Sequence, residues 1–420
     1  MSSLLKGMVS SRPLGLFRVL FGLLLLFQFS KIAKRVPFFK DPDYLYFPFP
    51  ELDWMPVFSY ELMMGLLVVG FLATILFTIG LFYRYVAIIM ALVYGYFFSL
   101  DAMYFNNHYY LIFLLCMLMC FTDADRSFAV SFSKKKTKAR LPRWQYLILQ
   151  LQIGIVFFYG GLSKCTADWF NGNVIKGITD SEFVNLFLIY GGTVFDMLIP
   201  VALFYKKTRP YAIILVILFN VSNHFLFNDI ASFPLLVIAS MLLFLPDGKF
   251  PEVIHSFFKL EQDKEKTGSF SLFSKMVLGC FFIFQFIYPL RHHLIKGHVD
   301  WTGQGHYFAW RMKSYHKDAT VDFYAMDKNT NQRAYKINHG LDKYLIQRMT
   351  SMPHMIPKLS TYMRKQIEKQ DGINPNLGIQ IDNMVSLNHR KKKLAVNPSI
   401  DITQAKFSKY GNNKWIFNLD

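Results

Sequence analysis

The chain alternates long, almost uncharged apolar runs with short polar connections, then changes to ordinary mixed composition. LGLFRVLFGLLLLFQF, YELMMGLLVVGFLATILFTIGLF, VAIIMALVYGYFFSL and YLIFLLCMLMCF follow one another closely. Each is near the roughly 20 residues that a helix needs to cross about 30 Å of hydrocarbon. Such runs predict about nine spanning helices, near 14–30, 57–82, 86–103, 108–122, 144–160, 184–205, 210–226, 232–246 and 272–290. After Tyr288-Pro289 the pattern turns polar, with turn residues throughout and short β-like runs such as ATVDFYAM. The expected architecture is an all-α polytopic membrane bundle over 1–290, followed by a small α+β extramembrane domain over 291–420. Arg18 lies inside the first apolar run and no small-x-small site clearly follows it. That segment therefore reads as a retained helix, not a cleaved signal peptide. No internal repeat is visible.

Composition agrees with this pattern. The 420 residues are 53% hydrophobic and 17% aromatic, which suits a lipid-embedded chain better than a soluble domain. The net charge of +18 raises nucleic acid as a partner, but the placement of the charge argues against it. Many Lys and Arg fall in short connections between apolar runs, as cytoplasmic loops do. With the N-terminus cytoplasmic, Arg84, SKKKTKARLPR (133–143), YKKTR (205–209) and the 247–271 loop all lie inside, with KIAKRVPFFK (31–40) a partial exception. FNNHYY (105–110), GGLSKCTADWFNG (160–172), NVSNHFLFND (220–229) and the C-terminal domain then share the opposite, lumenal or periplasmic, face. The lipid bilayer is the implied partner. Of the four cysteines, Cys116, Cys120 and Cys280 sit inside apolar runs and read as small core residues, leaving Cys165. No Cys/His array suggests a metal, and no Walker loop, GxGxxG, GxSxG or HExxH occurs.

Candidate chemistry gathers on the outer face. Lys164 follows an apolar run and two glycines and precedes Asp168-Trp169. One reading is a lysine snorkelling from a helix end. The other is a general base, because a poorly hydrated amine loses proton affinity. Gly160 and Gly161 would let backbone or ligand approach closely. A direct Lys164–Asp168 pair would simply neutralise the lysine. Asn106-Asn107-His108 opens a spanning segment; Asn is a good helix cap, yet three amide and imidazole groups exceed what a cap needs. They can hydrogen-bond a carbonyl, a phenol or an enolate. Asn220, Asn223, His224, Asn228 and Asp229 form a third cluster, which also suits an ordinary loop leading to the next helix. Trp144, Trp169, Trp301 and Trp310 lie near predicted interfaces, where Trp is enriched as an anchor.

Taken in order, FNNHYYL, TDAD (122–125), LPRWQYLILQLQIGIVFFYGGLSKCTADW and HVDWTGQGHYFAWRM (298–312) resemble the vitamin K-dependent gamma-carboxylase family over about 85–320. The resemblance implies an integral-membrane enzyme that oxidises a reduced vitamin K, phylloquinol or menaquinol, to its epoxide with O2. It further implies coupled carboxylation, with CO2, of a glutamate-containing peptide or protein. No side chain is basic enough to remove a proton next to a carboxylate. In the family a lysine deprotonates the quinol, whose reaction with oxygen yields a strongly basic alkoxide. Lys164 falls on that lysine, and His108 on a histidine of the carboxylation half. Asn106, Asn107, Asp168, Trp169 and Asn223 are the implied quinol- and substrate-binding residues. The chain departs from the family in three places. Ser163-Lys164 replaces two adjacent lysines, and Phe219-Asn220 replaces Phe-His, with His224 the nearest histidine. The C-terminal domain is shorter than in the animal enzymes, so a propeptide-binding exosite is not expected. Two alternatives stay open: a quinol epoxidase without carboxylation, and a non-catalytic quinone- or lipid-binding membrane protein.

Overall fold

The computed structural model describes residues 7–130, 140–226, 232–245 and 271–419, without the side chains of 224 and 226. Five helices are long and apolar enough to cross a membrane: α1 (Arg12–Arg35, continuing as a 3₁₀ turn to Lys40), α2 (Tyr60–Ile79), α5 (Trp144–Leu162), α6 (Glu182–Phe204) and α9 (Leu272–Ile287, extended by a 3₁₀ turn to Leu294). The other four predicted spans are shorter apolar helices. They are α3 (Tyr83–Ser99), α4 (Asn107–Met119), α7 (Arg209–Leu226) and α8 (Phe233–Ser240). The expectation of about nine full crossings therefore meets five helices of spanning length among the described residues. The 13 residues of α4 reach only about 20 Å. Outward-facing Leu23, Leu72, Leu92 and Ile214 are more than half exposed, the pattern of helices that face lipid. The chain is a helical, multi-pass membrane protein with a small sheet-containing C-terminal region.

Local signals set the helix ends. The Ser59 hydroxyl accepts from Leu62 N–H at the start of α2. Gly80, at φ 79°, closes it with bonds to Leu76 and Phe77 carbonyls, a left-handed conformation that glycine adopts without strain. One end of the bundle is tied by a two-stranded ribbon, β1 (Met8–Ser10) with β2 (Arg140–Pro142). Arg18, fully buried nearly two turns into α1, donates to the carbonyls of Ala124, Ser127 and Phe128 at that same end. A guanidinium inside an apolar helix is tolerable only when such partners meet it. The polar starts of α4 and the end of α5 lie at the opposite end, with the C-terminal domain.

That domain is built on a four-stranded antiparallel sheet of β3 (Lys317–Asp327), β4 (Gln332–Lys336), β5 (Leu377–Leu387) and β6 (Lys393–Leu394), in the order β4-β3-β5-β6. β3 and β5 pair in continuous register from Lys317–Leu387 to Asp327–Leu377. Helices α10 (Lys343–Thr350) and α11 (Ile356–Asp371) cross between β4 and β5. The buried Asn383 of β5 donates to the Thr350 carbonyl and locks α10 to the sheet.

The join between bundle and domain explains why α4 is short. Tyr110, one turn into α4, packs on Phe308 and Trp310 at ring distances of 5.0 and 4.8 Å. The outer segment thus dips into the bundle where α4 begins. Phe308 and Trp310 both adopt positive φ, 59° and 55°. That costs bulky residues on the order of 1–3 kcal/mol each and aims both rings inward. A buried ion pair, Arg291 to Glu51 at 2.8 Å, ties the 41–55 loop to the end of α9.

Candidate functional site

The run QYLILQLQIGIVFFYGGL continues helically to its last residue, so α5 carries Lys164 just beyond its C-terminus. The second glycine decides what Lys164 meets. A Cβ on Gly161 would sit 2.6 Å from Met197 Cγ and 3.0 Å from the Met197 backbone nitrogen. Only glycine lets α5 and α6 come this close, and the contact delivers Asp196 to the lysine. Lys164 Nζ lies 2.5 Å from Asp196 Oδ2, with side chains 11% and 9% exposed. Trp169 covers the pair, its ring centroid 5.3 Å from the ammonium nitrogen. It rides on a single helical turn, Ala167–Phe170, capped by the Thr166 hydroxyl. Its indole N–H donates to Thr193 Oγ1 at 2.8 Å and the Ile189 carbonyl at 3.0 Å, next to a π turn in α6 (Phe187–Gly191).

Facing this pair is the start of α4. Asn106 occupies the N-cap position but makes no capping bond through its side chain. The capping explanation for the Asn-Asn-His triplet therefore fails for Asn106. Asn107 Nδ2 donates to the Arg311 carbonyl at 3.1 Å, while its Oδ1 is buried with no hydrogen-bond partner. His108 is 3% exposed, with Phe233 of α8 at 6.4 Å ring to ring. Asn220 and Asn223 belong to α7, not to a loop; Asn220 is buried and bonds the Val216 carbonyl one turn back. Asn228 and Asp229 lie outside the described residues.

These groups line one cavity of about 520 Å³ between the bundle and the outer domain. Its membrane-side wall is apolar, with Val156, Phe157, Leu188, Phe219 and Phe233. Its outer wall is cationic, with Arg311, Lys313, Lys317 and Arg348, and among the described residues Asp196 is the single acidic one lining it. Arg311 is locked by a buried two-pronged pair with Asp300, at 2.9 and 2.6 Å. Lys317 Nζ donates to the Trp301 carbonyl at 2.8 Å. Burial pushes its pKa down to about 7, partly opposed by Asp300. His306 also lines the cavity; burial, then Arg311 and Lys317, push its pKa down to about 3, so it is neutral. Tyr307 OH and His354 Nε2 bond at 3.1 Å behind this wall.

Six of the seven predicted site residues line the cavity: Lys164, His108, Asn106, Asn107, Trp169 and Asn223. Asp168 does not. Its carboxylate accepts from Asn388 at 2.7 Å and Arg390 at 2.9 Å in the turn after β5, and from Asn173. The Lys164–Asp168 pair is thus corrected to Lys164–Asp196: capping of the Ala167–Phe170 turn aims Asp168 at the outer domain. The interface-anchor reading falls for Trp169, Trp301 and Trp310, which are 4%, 2% and 0% exposed, while Trp144 is half-buried. Asp196 was missed although its signal was present, a carboxylate inside an apolar run. Arg311, Lys317 and Arg348 carried no such signal, as cations in a polar domain are commonplace.

Comparison with known families gives two adjoining matches. Residues 8–248 match the family described as HTTM domain, and residues 271–420 match the vitamin K-dependent gamma-carboxylase, lumenal domain. No solved structure matches the chain.

Proposed function

Because the chain belongs to the vitamin K-dependent gamma-carboxylase family, we propose that it oxidises a reduced naphthoquinone to its epoxide and couples this to carboxylation of peptide glutamate. The observation that carries the reading is the two-sided cavity: a buried lysine and an apolar wall on the membrane side, cations on the outer side. An apolar, flat quinol suits the first wall, and an acidic peptide suits the second. The volume of about 520 Å³ lies within the range of small-molecule sites. The unpartnered Oδ1 of Asn107 is a buried acceptor that a quinol hydroxyl would satisfy.

In this reading Lys164, as the free amine, takes the quinol proton, and Asp196 at 2.5 Å holds the ammonium that results. Asn107 and His108 orient the quinol oxygens and stabilise negative charge as it develops. Trp169 and the apolar wall keep water from the reacting groups. The bound quinol, on reaction with O2, supplies the strong base that removes a proton beside the substrate carboxylate. Overall, quinol, O2, CO2 and glutamate give epoxide, water, gamma-carboxyglutamate and one proton. The distribution of Lys and Arg supports a cytoplasmic N-terminus and a lumenal or periplasmic C-terminal domain.

One observation favours the non-catalytic alternative: Lys164 has a carboxylate beside it, and a lysine held permanently as an ammonium is not a base. The cationic outer wall, in turn, favours carboxylation over epoxidation alone. The test is incubation of the detergent-purified chain with reduced naphthoquinone, bicarbonate, O2 and a Glu-rich peptide, with both products followed by mass spectrometry. Epoxide and carboxylated peptide that vanish in Lys164→Ala support the full cycle. Epoxide without carboxylation selects the oxygenase, turnover unchanged in Lys164→Ala eliminates Lys164 as the base, and neither product from a wild type that binds the quinol eliminates the enzyme reading.

A further inference from the structure

The outer wall of the cavity carries an arginine that meets no carboxylate among the described residues. Lys164 pairs with Asp196, Arg311 pairs with Asp300, and Lys317 is bonded to the Trp301 carbonyl with Asp300 nearby. Arg348 is different. It projects from α10 into the cavity lining and makes no ion pair among the described residues. Its Nη2 donates to the Phe105 carbonyl at 3.2 Å, and Tyr344 OH, one turn back on the same helix, steadies Nη1 at 3.5 Å. The guanidinium is therefore held in place by neutral acceptors while its charge is left open. Phe105 is the residue directly before Asn106, Asn107 and His108. Arg348 thus stands beside the triplet that the proposed chemistry uses, on the domain side of the cavity.

A planar guanidinium fixed this way presents remaining N–H groups in a fork, the geometry that grips a carboxylate. A lysine would offer the charge without the fork. We propose that Arg348 is the receptor for the side-chain carboxylate of the substrate glutamate, and that it sets the preference for glutamate over glutamine. The assignment rests on the reading of the cavity as a glutamate-carboxylating site. It supplies what that site needs: an anchor for the carboxylate adjacent to the carbon that loses its proton. Pairing also offsets the negative charge of the carboxylate while a second negative charge forms next to it. Glutamine, isosteric but neutral, forfeits the charge-assisted bonds.

Direct binding tests this separately from turnover. A fluorescently labelled Glu-containing peptide and its Glu→Gln counterpart are titrated against the purified full chain with the oxidised quinone present, so that no reaction occurs. The wild type is expected to hold the Glu peptide on the order of 10–100-fold more tightly than the Gln peptide. In Arg348→Gln that ratio falls to about one while affinity for the Gln peptide is kept. Arg348→Lys retains an intermediate ratio, and as it keeps the charge it also serves where Arg348→Gln does not fold. Arg333→Gln, which removes an arginine paired with Asp382 on the sheet, leaves the ratio unchanged. The assignment is overturned by a wild type that does not distinguish the peptides. It is equally overturned by Arg348 variants that keep the ratio or lose both peptides alike. A chain inactive towards quinol that still shows an Arg348-dependent ratio would reject the catalytic reading and retain this one.

Discussion

Asp196→Asn is the most informative perturbation, because it removes one charge and leaves the shape. In the folded chain Lys164 Nζ and Asp196 Oδ2 are 2.5 Å apart, with side chains 11% and 9% exposed. Removing one member of a buried pair strands the other charge and typically costs about 3–5 kcal/mol. The residual exposure here places the cost near the lower end, about 3 kcal/mol. Lys164→Met strands the carboxylate instead and costs about as much. Lys164→Met combined with Asp196→Asn strands nothing, so it costs less than the two singles together, with a coupling of about 2 kcal/mol. The readout is thermal unfolding in detergent, followed by intrinsic fluorescence. Function diverges from stability in this cycle. Asp196→Asn lowers epoxide formation about 10²–10³-fold, as loss of one buried electrostatic partner does in other sites. The double variant regains stability but not turnover. Additive single effects would refute the pair as a coupled unit, and wild-type epoxide formation by Asp196→Asn would refute its part in catalysis.

The two glycines before Lys164 should behave unequally. Gly161→Ala drives a Cβ against the Met197 backbone, costing about 1–3 kcal/mol and parting Asp196 from Lys164, whereas Gly160→Ala meets the flexible end of Met312 at 3.0 Å and Asp196 Oδ2 at an ordinary contact distance of 3.7 Å. Equal melting temperatures and turnover for both variants would contradict the close-packed joint. Lys317, with its pKa pushed down to about 7 against about 10.4 for an unperturbed lysine, binds fewer protons folded than unfolded between those values. Its cost to stability is therefore full below pH 7 and fades as pH rises towards 10. Lys317→Met should raise the melting temperature most at pH 6 and least near pH 10; a pH-independent difference would show that burial does not perturb this amine. Asp168→Ala should cost about 1–3 kcal/mol and increase hydrogen exchange in the Asn388–Arg390 turn. Unchanged protection there would mean that Asp168 does not clasp the outer domain.

The apolar runs, the change of character after Tyr288-Pro289 and the alternation in ATVDFYAM were enough to announce a helical membrane protein with a small sheet domain, though not how many of its helices are of spanning length. These are local properties: lipid requires helices whose backbone groups are satisfied within the segment, and strands advertise a period of two. The motif residues Lys164, Asn107 and His108 were legible for a similar reason, as polar groups at the ends of long apolar runs. What those residues meet was not local. Asp168 is four residues from Lys164 and Asp196 is thirty-two, yet it is Asp196 that touches the lysine, because Gly161 admits Met197 and the capped turn points Asp168 away. The short α4 was read as a full crossing because Phe308 and Trp310, which fill the space beyond it, come from a segment about 200 residues later. Arg348 looks like any surface arginine on an amphipathic helix until α10 is docked over Phe105. The sequence by itself determined that the chain is a helical membrane protein with a small sheet-containing C-terminal region, and which polar side chains stand beside its apolar runs. Only tertiary packing decided which charges are matched, since burial and pairing belong to neighbours that the chain brings together when it folds.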